Sequence, residues 1–416
     1  MSHQCTCIQF HPVGQGIFST GCICCDRRDE PVRWFYDCGT SSEQMLITNA
    51  IAKMGKRHEC CGHWLPFCES SSRTSSIFHL GAISHFDQDH VNGVSPLMKG
   101  KKLKVLLLPY ATLAQRLYNA FTQSVQIDSE FVQFCASPAR FARESWRAER
   151  VLFIEGGSPS GGTNEVQEDN QNSEARQDNQ NREDQDSSIQ IPRAKLLDLE
   201  LSSDAAPESG ILPAGSVLGV KMHGKIVWEF RPYNDQHLAS KLNANFKDGI
   251  AKLRDALLNC DKIAIEKAKK LYDRTFGKTA QPRNEISLFL HGIHKSSQVI
   301  ETYASVGHGI NRRPSDKHPL SILYTGDGFL NTQQRVDEIK QLPLQNLTVL
   351  QVPHHGARKS WMTGLGAELA PRHSVFCADP ERIKPGHPHG SVLVDLLGHG
   401  PAIVDKRSNF CICQFC

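Results

Sequence analysis

His85, Asp87, Asp89 and His90 fall within six positions of one run, Ile83-Ser84-His85-Phe86-Asp87-Gln88-Asp89-His90-Val91-Asn92-Gly93. Histidine and aspartate are the side chains that hydrolytic metal ions such as zinc or manganese take as ligands. Three later stretches carry groups of the same kind. They are Asp327 in Tyr324-Thr325-Gly326-Asp327-Gly328, the pair His354-His355 in Pro353-His354-His355-Gly356, and His387 and His389 in Gly386-His387-Pro388-His389. Each is weak alone: a polar surface loop accounts for the first run, and a lone Asp or His pair after a strand is common. Together they point to a divalent metal site. An ion there would lower the pKa of bound water, and two ions would clamp both oxygens of an in-line phosphoryl displacement.

The elements that must position these groups are short apolar runs. Ser76–Ile83, Leu320–Tyr324, Leu347–Val352 and His373–Ala378 read as buried strands, each running into one of the ligand-bearing loops. The carboxyl ends of strands are where α/β proteins place their chemistry. Residues 8–38 read as β-hairpins with a tight turn at Gly14-Gln15-Gly16. Residues 41–58 read as a helix capped by Ser41 or Ser42, and residues 111–149 as a helix before the strand Val151–Ile154. Val105–Pro109, Ser216–Val220, Ile226–Phe230 and Ile286–His291 are further strands, and 295–318 reads as a polar loop. Residues 238–275 read as a long amphipathic helix with Leu238, Leu242, Phe246, Ile250, Leu253 and Leu257 on one side. Its lysines read as a solvated face, with a phosphate-facing surface through Lys241, Lys247, Lys252 and Arg254 as the alternative.

The chain of 416 residues is organised as one α/β domain in two halves, 1–155 and 211–416, the latter including the helical insert at about 238–275. Between them, 156–210 reads as a disordered acidic insert, because its Gln/Asn/Asp/Glu-rich run has too little apolar surface to repay ordering. The net charge of +3 gives no global signature of nucleic-acid binding and leaves a local basic groove open. No run of eighteen apolar residues and no basic-then-apolar leader is present, so a cytoplasmic protein without a membrane partner is expected.

Fifteen cysteines are many for such a chain. They cluster as Cys5-Thr6-Cys7, Cys22-Ile23-Cys24-Cys25, Cys60-Cys61 with His58 and His63 nearby, and Cys411-Ile412-Cys413-Gln414-Phe415-Cys416. A disulfide framework is not expected. Small buried residues of alternating strands is the favoured reading, and a structural zinc site joining the two termini is the other.

The motif set resembles the metallo-β-lactamase superfamily, whose pattern is His-x-His-x-Asp-His followed by later His, Asp and His ligands. Within it, the chain is most similar to the branch containing the soluble nuclease-like domain of the DNA-uptake protein ComEC. The resemblance rests on Val13-Gly14-Gln15-Gly16, Asp37-Cys38-Gly39, Ser84 to His90, Asn284-Glu285-Ile286-Ser287-Leu288, Tyr324 to Asp327, Val352 to Gly356 and Gly386 to His389, in the family's order. Residues 110–150 and 156–280 are not covered by it, and ComEC's membrane channel is absent from this sequence.

The resemblance implies an αββα sandwich with a metal site at one edge between the sheets. It implies His85 and Asp87 on a first metal, Asp89, His90 and His355 on a second, and Asp327 as the bridge, with His354 the less favoured occupant. Asp87 stands where most members have a second His, and Asn284 lies near where others supply another. The first site is therefore poorer in imidazole and richer in oxygen, so one or two ions of Zn2+ or Mn2+, or magnesium, are expected. Asp89, His387 and His389 are the expected catalytic residues. The two histidines would hold a phosphate or protonate a leaving oxygen, although a structural role at Pro388 is as plausible for one of them. Arg358 and Lys359 would bind a phosphate or form a solvated loop.

The expected function is a metal-dependent phosphodiesterase, a nuclease acting on DNA or RNA. The alternatives are a hydrolase of a carbon ester, thioester or lactam on the same fold, and a metal-binding protein without turnover. The partner expected is nucleic acid or another phosphodiester, and protein partners are not readable from the sequence.

Overall fold

The structure is a computed structural model. It describes residues 4–24, 30–54, 76–123, 126–157, 188–191, 195–196, 209–235, 242–277, 286–295, 299, 301–307, 309–311, 318–384 and 386–416. The first half runs β1 (Cys5–Phe10), β2 (Phe18–Cys24), β3 (Val32–Cys38), α1 (Gln44–Lys53), β4 (Ile77–Ala82), α2 (Gln88–Val91), α3 (Val94–Met98), β5 (Lys102–Pro109), α4 (Leu113–Thr122), α5 (Glu130–Ala136), α6 (Pro138–Trp146) and β6 (Ala148–Ile154). Next come β7 (Ser188–Gln190), β8 (Lys195–Leu196), β9 (Gly210–Leu212), β10 (Leu218–Met222), β11 (Lys225–Asp235), α7 (Ala244–Lys252), α8 (Arg254–Leu258) and α9 (Lys262–Phe276). The last part runs β12 (Ser287–His294), β13 (Glu301–Val306), β14 (Gly309–Asn311), β15 (Ser321–Tyr324), α10 (Gln333–Ile339), β16 (Val349–Gln351), α11 (Leu365–Leu369), β17 (His373–Cys377), α12 (Gly390–Asp395), β18 (Pro401–Val404) and β19 (Phe410–Phe415).

Alternation within these strands separates two apolar faces, and two sheets result. One has the order β14-β13-β19-β1-β2-β3-β4-β5-β6-β9-β8, the other β18-β17-β16-β15-β12-β11-β10-β7. Ile8, Phe10, Trp34 and Leu107 from the first meet Trp228, Leu290, Ile322 and Val375 from the second in a shared core. Trp34 and Trp228 lie 5.4 Å apart by ring centroid, and Tyr36 stacks on Tyr324 at 4.5 Å. The other face of the first sheet packs Phe35 and Phe153 against helical residues such as Phe134, Phe141 and Phe246. The other face of the second sheet packs Phe289, Leu323 and Phe376 against Val336, Leu365 and Val392. The chain is thus a mixed α/β protein of two facing sheets with helices on their outer sides.

In the middle of each sheet the strands run parallel. β3, β4, β5 and β6 pair in parallel in the first, and β15, β16, β17 and β18 in the second. The loops that leave β4, β15, β16 and β17 emerge where the sheets meet: Leu288 N donates to Ser84 O at 2.7 Å, and Tyr36 Oη to Leu288 O at 2.6 Å.

Several elements differ from the sequence expectations. The helix expected over 111–149 is three helices, because Ser129 caps α5 through Val132 N and Pro138 opens α6. The helix expected over 238–275 is also three, with Asp261 accepting from Ala264 N to start α9. It packs Phe246, Ile250 and Tyr272 inward and leaves Lys247 and Lys252 exposed, as a solvated face would; Leu238 and Lys241 lie outside the described residues. Within the expected loop 295–318 lie β13 and β14, held by the register of β13 on β19 rather than by their own weak alternation. In the expected insert 156–210, β7 pairs with β10 and β8 with β9; residues 158–187, 192–194 and 197–208 lie outside the described residues. Among the described residues no helix is long and apolar enough to cross a membrane.

Candidate metal centre

The loop after β4 enters the site along a fixed path. Ser84 N donates to Asp37 Oδ1 and Ser84 Oγ to Asp37 Oδ2, both at 2.6 Å. Asp37 is fully buried at the end of β3. Its Oδ2 also accepts from His90 Nδ1 at 2.8 Å, while Ser84 Oγ accepts from His85 Nδ1 at 2.8 Å. This pattern assigns the Nδ1–H tautomer to both histidines and turns both Nε2 lone pairs the other way. Gly39 permits the approach of α2. A Cβ there would stand 2.4 Å from the Asp89 backbone.

From the second sheet, Gln351 is wholly buried and holds the turn after β15: its Oε1 accepts from Thr325 N at 2.8 Å and Gly326 N at 2.7 Å. Gly326 takes φ +55 with Ser84 against it, which aims Asp327 back at the first loop. After β16 the chain places His354 and His355 at φ 49 and 57, in the left-handed region that non-glycine residues seldom occupy. The strain turns both rings toward Asp327. His355 Nδ1 donates to Cys377 O at 2.6 Å, so it too presents Nε2.

Three chain segments therefore meet at Asp327: the loop after β4, the turn after β15 and the loop after β16. Its Oδ1 faces His90 Nε2 at 3.4 Å and His355 Nε2 at 3.6 Å; its Oδ2 faces His85 Nε2 at 3.9 Å and His354 Nε2 at 3.8 Å. Asp87 Oδ2 is 3.4 Å from His85 Nε2, and Asp89 Oδ1 is 3.9 Å from His90 Nε2. Two sets of ligand atoms lie mutually within 4.8 Å: His85, His90 and Asp327, and Asp89, His90 and His355. His85 Nε2 and His90 Nε2 are buried and have no hydrogen-bond partner. Buried nitrogens aimed at carboxylates from 3.4 Å or beyond are badly placed for one another and well placed around a cation. The donor set fits a divalent ion.

Charge follows the same geometry. Burial alone would push the Asp327 carboxyl up, but His354, His355 and His90 outweigh it and hold it well below the ordinary range. Burial would lower His90, yet Asp37 and Asp327 raise it well above its usual value. His387 is lowered to about 4, first by burial and then by His355, His354 and His389.

Of the residues expected from sequence, His85, Asp89, His90, Asp327 and His355 come together. Asp87 joins at the His85 side, where Gln123 Nε2 also donates to its Oδ1 at 3.0 Å. His354, given the lesser part by the resemblance, stands on the His85 side of Asp327. His387 and His389 line the second-sheet side: the His387 ring is 5.9 Å from that of His354 and 6.3 Å from that of His355, and its Nδ1 is 3.2 Å from His389 Nδ1. Arg358 and Lys359 are exposed just past the His pair. Asn284, expected near a lost ligand position, lies outside the described residues. The sequence reading gave no role to Asp37, Gln351 or Gln123. A polar residue inside an apolar strand, as Asp37 and Gln351 are, was the available signal. Comparison of the chain with protein-family models and with curated proteins gave no match.

Proposed function

We propose that this chain is a metal-dependent hydrolase built on an αββα sandwich of the metallo-β-lactamase type, acting on phosphodiesters, with nucleic acid the first substrate class to test. The observation that carries the reading is the convergence on one buried point of imidazole nitrogens and Asp327 oxygens from both sheets, with two of those nitrogens lacking any hydrogen-bond partner. His85, Asp87 and Asp327, with His354 alongside, would hold one ion; Asp89, His90 and His355, with Asp327, would hold a second. A bound divalent ion would supply Lewis acidity and an activated water near neutral pH.

The rest of the chemistry belongs to the chain. Asp37 fixes the His90 tautomer and keeps its Nε2 as a donor to the centre. Ser84 does the same for His85, and the Cys377 carbonyl for His355. His387, lowered to about 4, is neutral at pH 7 until an anionic phosphodiester beside it favours its charged form. It would then donate to a non-bridging oxygen or pass its proton to the leaving oxygen, with His389 holding its ring. Arg358 and Lys359 put two cations at the exposed edge, where a phosphate backbone would run.

The test is metal content by mass spectrometry on wild type, Asp89→Ala and Asp327→Ala, run beside cleavage of single- and double-stranded nucleic acid and a phosphodiester reporter with zinc, manganese and magnesium. Metal and cleavage lost together in both variants would support the reading. Metal bound with turnover only of carbonyl esters, thioesters or lactams would replace the substrate class. Metal bound with no turnover of any class would make the chain a metal-binding protein.

A further inference from the structure

Away from this centre, on the far face of the first sheet, lies a second group of metal-type side chains. Strand alternation sends Ile8 and Phe10 of β1 into the inter-sheet core, and Cys5 and Cys7 to the opposite face. The neighbouring strands repeat the pattern in register. Cys5 pairs with Cys24 and Cys7 with Cys22 across β1 and β2, and Cys7 pairs with Cys413 across β1 and β19. Three Cys-x-Cys pairs thus stand side by side on one face, and Cys5, Cys7, Cys22, Cys411 and Cys413 are buried there.

The sulfurs also converge within pairs. Residues two apart on a strand have side-chain roots roughly 6.6 Å apart. Even so, Cys5 Sγ and Cys7 Sγ are 3.5 Å apart, and Cys411 Sγ and Cys413 Sγ 3.9 Å. Both values bracket the edge of a tetrahedral zinc–thiolate site, about 3.8 Å for a metal–sulfur bond of about 2.3 Å. Opposed residues of antiparallel strands have Cβ atoms roughly 5 Å apart, which is the separation of Cys5 and Cys7 from their register partners Cys24 and Cys22. Among the described residues no three of these sulfurs already lie mutually within 4.8 Å. Arg33, in register with Cys22, stands on the same face of β3 as Phe35.

We infer that Cys5, Cys7, Cys22 and Cys24 form a second, structural metal site for a soft d10 cation of the zinc type, distinct in chemistry from the His/Asp centre. Four thiols give up four protons to solvent, and the thiolates take the ion without any change of oxidation state. The bound ion ties β1 to β2 within the first sheet, beside the β1–β19 pairing. It does not depend on the proposed hydrolase activity.

Cobalt(II) reports thiolate ligands directly, through sulfur-to-metal charge-transfer absorption in the near ultraviolet that an imidazole/carboxylate site does not give. Full-length reduced apoprotein would be titrated with cobalt and then with zinc, as wild type, Asp327→Ala, and the triple variant Cys5→Ser/Cys7→Ser/Cys22→Ser. The charge-transfer band is expected in wild type and Asp327→Ala, bleached by excess zinc, and absent in the triple variant. No band in wild type, or a band unchanged in the triple variant, overturns the site. Should the triple variant not fold, alkylation of wild type with and without zinc, mapped by peptide mass spectrometry, decides. At least tenfold slower modification of Cys5, Cys7, Cys22 and Cys24 is expected, with Cys135 in the helical layer unchanged as the control. Equal rates with and without zinc refute the proposal.

Discussion

At the scale of single residues, Asp37 acts on the centre through others. It touches His90 Nδ1, Ser84 N and Ser84 Oγ, and each contact fixes a donor of the centre. Partners of this kind are worth roughly 10–100-fold in metal affinity. Asp37→Asn keeps the shape and removes the charge. Manganese titration should show affinity weaker by that factor with an unchanged far-ultraviolet spectrum; unchanged affinity would deny Asp37 its role. His90 sets the pH dependence. Its folded value is raised, so without metal its ion pairs add stability below about pH 6.5, the unfolded value, and that stability is lost as pH rises through the folded value. A cation needs the same nitrogen without its proton. Metal affinity should therefore increase with pH, by up to tenfold per unit, until His90 is deprotonated. Titrations between pH 5 and 9 would check it, and a flat profile would exclude proton competition at His90.

At the scale of elements, β12 carries an internal cost. His291 is fully buried between Arg231 of β11 and Leu323 of β15, and neither ring nitrogen has a hydrogen-bond partner. Burial, then Arg231, lowers it to about 3. An unfolded chain protonates this histidine near pH 6.5 and the folded one does not, so stability falls as pH drops from 6.5 toward 3. The slope is at most about 1.4 kcal/mol per pH unit. His291→Leu fills the same space without a polar group. It should raise stability at pH 7 by about 1–2 kcal/mol and flatten that acid limb in denaturant unfolding. A destabilised variant would mean that His291 has a polar partner.

At the scale of the whole molecule, the centre joins the two sheets. Its donors follow β4 on one side and β15 and β16 on the other, and the loops are already tied by Ser84 O to Leu288 N. An ion bound only by the assembled sandwich stabilises it by mass action. Manganese, which thiolates do not favour, should raise the melting temperature by about 3–6 °C at a hundredfold excess over its dissociation constant. Asp327→Ala should show no shift. An equal shift in that variant would place the stabilising ion elsewhere.

The sequence by itself determined the ligand types and the strands that carry them. Histidine and aspartate clustered after apolar runs leave few other uses, and runs such as Val105–Leu108 or Ile322–Tyr324 are too short and too apolar for surface helices. The outcome at 111–149, 238–275 and 295–318 was different. Helix breaks there depend on caps such as Ser129 and Asp261, and β13 depends on an edge offered by β19 more than a hundred residues later. Only the tertiary structure decided which oxygen of Asp327 faces which histidine, that His354 stands on the His85 side, and that Asp37 and Gln351 are buried supports. It also decided that cysteines from both ends of the chain share one face, because strand register is set by long-range pairing that no local spacing encodes.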